Sequence, residues 1–71
     1  MKNIELVYRT EDMEKGKIRV IPKLNSIPDA MAVWERVKIT KQNIEYAYLR
    51  KFRGYDYATI KILKNKGGEY E

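Results

Sequence analysis

The chain contains no cysteine and no histidine. Without cysteine there are no disulfide staples, no thiolate nucleophile and no sulfur ligand for zinc. Without histidine the commonest general base near neutral pH and the commonest metal ligand are missing too, so any chemistry falls to carboxylates, lysines and tyrosines. These absences argue against an enzyme, and no catalytic group, metal or cofactor is expected. Long apolar runs are also lacking. The longest, Ala30 to Trp34, is too short for a membrane span or a signal peptide, so the expected setting is the cytoplasm, with no membrane partner. Repeats and low-complexity tracts are absent.

What the sequence has is charge, unevenly placed. The net charge is +5 over 71 residues, yet the first 35 balance, with six basic against six acidic residues. From Arg36 to Lys66 nine basic residues stand against two acidic ones, Glu45 and Asp56. Trp34, Tyr46, Tyr48, Phe52, Tyr55 and Tyr57 lie in or beside that stretch. Basic side chains among rings suit a polyanion with stackable bases, because cations neutralise phosphates and rings give bases a platform. A merely solubilising surface has the same composition. A chain of this length buries only about 60% of its unfolded surface, so a single small domain over 1–71 is expected, with 67–71 frayed and a partner or second copy adding stability.

Periodicity supplies the elements. Ile4, Leu6 and Tyr8 alternate with Glu5, Val7 and Arg9, the pattern of a half-buried strand. Lys17 to Leu24 alternates likewise, with Ile18, Val20 and Leu24 expected to face in and Pro22 marking an edge. The polar Thr10 to Gly16 segment reads as the loop of an antiparallel hairpin. Ser26-Ile27-Pro28-Asp29 is a helix start, followed by Ala30, Val33, Trp34 and Val37 at helical spacing. A second start at Thr40, with Ile39 and Ile44 placed as a hydrophobic staple, predicts a helix that stops at Gly54. Its apolar arc is Ile44, Ala47, Tyr48 and Phe52; Tyr46, Arg50 and Arg53 share the opposite face. Tyr55 to Lys64 fits a strand by its β-formers and a helix capped by Asp56 about equally.

In its helical form the segment Asn43 to Lys66 resembles a helix-turn-helix, with the break at Gly54-Tyr55-Asp56 followed by a helix carrying Lys61, Lys64 and Lys66. Leu49, Tyr55, Ile60 and Leu63 match apolar places of that motif. Arg50 and Arg53 occupy places that the motif gives to a small and an apolar residue, so the fit fails before the turn. Asp29, Glu35 and Lys38 resemble the acid and lysine set of a metal-dependent nuclease in type but not in spacing, and a cap plus an ordinary helix pair explains them. Glu11, Asp12 and Glu14 lack the spacing of a calcium loop.

The expected fold is therefore α+β: an amino-terminal β-hairpin, helices near 27–38 and 41–53, and a strand near 56–64. The alternative is the hairpin followed by three helices, with a helix-turn-helix-like carboxy-terminal half. The expected function is non-catalytic nucleic-acid binding through residues 36–66, with DNA favoured over RNA and a transcriptional regulator as one form of it. Lys41, Arg50, Arg53, Lys61 and Lys64 are the candidate phosphate contacts, and Tyr46, Tyr55 and Tyr57 the candidate stacking rings. The alternative is a protein-binding module, an inhibitor or adapter for an acidic partner, since tyrosine and arginine are also interface residues. A homodimer through Val7 and Ile21, on the presumed outer face of the hairpin, belongs to that second class.

Overall fold

The computed structural model describes residues 3–65; the frayed end expected at 67–71, and Lys66, lie outside the described residues. The chain runs β1 (Ile4–Thr10), β2 (Arg19–Leu24), α1 (Ile27–Thr40), β3 (Ile44–Phe52) and β4 (Tyr57–Lys64). The strands form one antiparallel sheet in the order β2-β1-β3-β4, and α1 lies across one of its faces, over β1 and β2. Among the described residues no helix is long and apolar enough to cross a membrane.

The helix begins where local chemistry places it. The Ser26 hydroxyl accepts from the Asp29 amide at 3.3 Å, Pro28 occupies the first turn, and Asp29 sits favourably by the positive end of the helix dipole. Ala30, Trp34 and Val37 recur at i, i+4 and i+7 and are buried. They meet Ile4, Leu6 and Tyr8 of β1 together with Ile44, Ala47, Leu49 and Leu63, which make the core.

The sheet overturns the two-helix architecture and the helix-turn-helix alternative with it. Residues 44–52 are a strand, paired with β1 through Leu6↔Leu49 and Tyr8↔Ala47 and with β4 through Leu49↔Lys61 and Phe52↔Tyr57. Two causes decide this. Ile44, Tyr46, Tyr48 and Phe52 are strand formers, and β1 needs hydrogen-bond partners on both sides, which its hairpin mate β2 supplies on one side only. Gly54, expected to stop a helix, has φ +98° and serves the β3–β4 turn instead, where the Arg53 amide donates to the Asp56 carbonyl at 2.8 Å. A positive φ suits either role, so the glycine did not distinguish them.

Bulges tune the faces. Between Ile4↔Leu24 and Leu6↔Ile21, β2 carries one residue more than β1, and Lys23 takes φ +64° there. The shift brings Ile21 to the core side and Val20 opposite Val7 on the other face, the reverse of the expected inward Val20. A surface pairing Val7 with Ile21 therefore does not exist. In β4, Leu63 is extra between Ala47↔Lys64 and Tyr48↔Ile62 and turns into the core at 1% exposure.

Leu49 is fully buried in the middle of this core. Its replacement, Leu49→Ala, should cost about 2–5 kcal/mol, a large share of the roughly 4–11 kcal/mol that a chain of this length holds. Urea denaturation followed by circular dichroism should show the midpoint fall steeply, whereas exposed Ile39→Ala should leave it nearly unchanged.

Candidate functional site

The face of the sheet turned away from α1 has no covering layer among the described residues. Cross-strand register assigns its members: Val20, Val7, Tyr48 and Ile62 in one row across all four strands, Glu5, Arg50 and Thr59 in the next, with Arg9 beside Tyr46 and Phe52 beside Tyr57. Val7 is fully buried although α1 is on the other side, because its row neighbours close over it. The remainder stays open, with Ile62 at 45% and Tyr57 at 46% exposure. Exposed apolar and aromatic groups grouped on one sheet face mark a contact surface more than a solvated one.

The rings and cations of this face are held in position. The Tyr46 and Tyr48 rings lie 18° from parallel with centroids 6.2 Å apart, and Phe52 meets Tyr57 at 5.2 Å. The Arg50 guanidinium sits 3.9 Å from the Tyr57 ring centroid and donates to the Glu5 carboxylate at 2.8 Å. Partial burial works to lower the Arg50 pKa, but the hydrogen bond and charge of Glu5, helped by Tyr57 and Tyr48, more than reverse it, so the guanidinium is held still more firmly charged. Arg9 is used structurally. It donates to the carbonyls of Met13, Glu14 and Lys17 at 3.1, 2.8 and 2.6 Å and lies 3.4 Å from Glu45, tying the β1–β2 loop to the sheet.

The eight expected contact residues divide by position. Tyr46, Arg50 and Tyr57 come together on the open face. Arg53 and Tyr55 occupy the adjoining β3–β4 turn, Arg53 3.9 Å from Asp56 and Tyr55 79% exposed. Lys61 shares the register position of Leu49 and so belongs to the helix side, at the edge. Lys64 donates to the Ile44 carbonyl, and Lys41 caps the far end of α1. Sequence reasoning missed Tyr48, Phe52, Thr59 and Ile62. The signal was there for β3: Tyr46, Tyr48, Arg50 and Phe52 recur at every second residue, but Ile44, Ala47, Tyr48 and Phe52 also fit a helical arc.

Concavities flank the sheet. A hollow of about 220 Å³ opens on the free face between Tyr46, Tyr48, Thr59 and Ile62. A larger cleft of about 680 Å³ lies by the β1–β2 loop, between Tyr8, Asp12, Lys17, Arg19, Lys41 and Asn43. Its acids and bases are intermixed, so it has no single charge to offer a ligand. Glu35 and Lys38 pair at 2.6 Å on the surface of α1, as an ordinary helix pair does. Among the described residues no group of three or more acidic side chains is placed to hold a metal ion.

With this geometry in hand, comparison with known proteins adds nothing: no family model, no curated protein and no solved structure matches the chain.

In the cleft, Asp12 accepts from the Thr10 hydroxyl at 2.5 Å. That hydrogen bond and then its own backbone amide hold its carboxyl below the ordinary 3.8 against the opposing effect of burial, with the charge of Lys41 adding to the lowering. A folded pKa below the unfolded one contributes stability above the unfolded value and loses it as pH falls through the folded value. In Thr10→Val the Asp12 pKa, followed by NMR titration, should move up toward the ordinary value; an unchanged titration would show that Thr10 is not the cause.

Proposed function

We propose that this protein is a non-catalytic nucleic-acid-binding domain whose contact surface is the uncovered face of its sheet. The observation that carries the reading is the grouping of Tyr46, Tyr48, Phe52 and Tyr57 around Arg50 on one exposed face. Rings at this density provide stacking platforms, and an arginine among them supplies both charge and a planar surface. Arg53 on the adjoining turn, with Lys61 and Lys64 along the β4 edge, extends positive charge around the rim. The helix that would have entered a major groove does not exist, so the proposal no longer favours DNA and carries no regulatory role. A cytoplasmic setting remains part of this reading, supported by the absence of cysteine.

The pairing of Arg50 with Glu5 favours a second reading, a protein interface centred on the tyrosines, because it neutralises the face's central cation. Ionic strength separates the two. Fluorescence anisotropy with labelled oligonucleotides should give affinity that falls steeply between about 50 and 200 mM salt, and Arg53→Ala should flatten the slope of log K against log salt by about 0.7–0.9. Replacement of Arg36 on α1 should leave the slope alone. Absence of binding at the lower salt sinks the nucleic-acid reading and turns the face into a protein interface.

A further inference from the structure

The hollow on the open face has a definite origin. Where Ala47 pairs with Lys64 and Tyr48 with Ile62, the extra residue Leu63 is drawn into the core. The bulge parts the side chains above it, leaving a depression of about 220 Å³ beside two tyrosine rings. Bulges next to functional sites commonly re-aim side chains in this way. Tyr46 and Tyr48 flank it, Ile62 gives it apolar surface, and Thr59 brings a hydroxyl.

We propose that this hollow receives one unpaired nucleobase, so that the ligand class of the open face is a single strand rather than an intact duplex. The inference rests on the nucleic-acid reading of that face and makes it more specific. Size is the first support. The depression falls below the roughly 300–1,000 Å³ typical of drug-sized ligand sites and suits a single ring system. Spacing is the second. The rings at the hollow stand 6.2 Å apart, nearly twice the roughly 3.4 Å rise of stacked bases, so successive bases must be splayed for each to meet a ring. The third support is chemical. The Thr59 hydroxyl can donate or accept, so it can meet either kind of group on a base's Watson–Crick edge, the edge that pairing covers. In an intact duplex the base faces are covered by neighbours and the pairing edges by the partner strand, so no base reaches the hollow without leaving the stack.

The test compares three labelled probes on the folded protein at about 50 mM salt: a mixed-sequence single strand of eight nucleotides, the same sequence as a duplex, and an abasic strand of equal length. The single strand is expected to bind at least about tenfold more tightly than the other two, since each stacked base contributes about 5- to 150-fold. Tyr48→Leu, which removes a ring, and Thr59→Tyr, which fills the hollow and suits a strand, should each erase that preference, with circular dichroism confirming the fold. If Tyr48→Leu does not fold, Thr59→Tyr decides alone. Equal binding of duplex or abasic strand overturns the base site and leaves the open-face reading standing, as does a preference that survives in the folded variants. Failure of all three probes to bind overturns the open-face reading itself.

Discussion

Everything in this fold depends on β1 being a central strand. Leu6, Val7 and Tyr8 are consecutive and all buried, which requires cover on both faces, and the strand's backbone requires hydrogen-bond partners along both edges. The hairpin mate β2 satisfies one edge. The other edge can be met only by a distant segment, and β3 meets it over nearly the full length of β1. Once β3 is a strand its own outer edge needs β4, and the three-residue reach from Arg53 to Asp56 allows only a tight turn. The order β2-β1-β3-β4 follows from that chain of requirements.

The same arrangement separates the two faces by what covers them. One helix of 14 residues shields a single face, and its buried stripe of Ala30, Trp34 and Val37 accounts for it. Among the described residues the other face keeps only Val7 dry, through its neighbours in the sheet, and leaves rings and aliphatic groups open to contact. Both outer edges are blunted against pairing with further strands. Proline at 22 and the bulged Lys23 interrupt β2, while two bulges and the lysines at 61 and 64 interrupt β4. Strand pairing at either edge is thereby disfavoured, while the open face carries no such obstacle.

Charge behaves differently in three dimensions from its distribution along the chain. The excess between Arg36 and Lys66 is real, but the fold divides it among the helix surface, the β4 edge and the open face. Arg9 is engaged in holding the β1–β2 loop by three carbonyls, and Arg50 is locked between Glu5 and Tyr57. The open face is consequently more aromatic than basic, with most of its positive potential at the rim. Any affinity it has for a strand must come from ring stacking at the centre as much as from phosphate neutralisation around it.

Local chemistry by itself determined α1 and the amino-terminal hairpin. Ser26, Pro28 and Asp29 specify a start, Ala30, Trp34 and Val37 specify a stripe, and alternation from Ile4 to Arg9 specifies a strand, each within a few residues. The absence of cysteine and histidine was equally legible, with what it implies for chemistry. The candidate site was legible only in part: Tyr46, Arg50 and Tyr57 could be named, but not that they share a face with Tyr48, Phe52, Thr59 and Ile62. That grouping required β3 to be a strand, and within residues 44–52 the apolar positions satisfy periods of 2 and 3.6 together. Pairing with the distant strand β1 resolved the ambiguity, and the bulge at the hollow exists only in the β3–β4 pairing that follows once β3 is a strand. A long-range hydrogen-bond requirement leaves no local trace, which is why tertiary structure alone decided the face on which function is proposed.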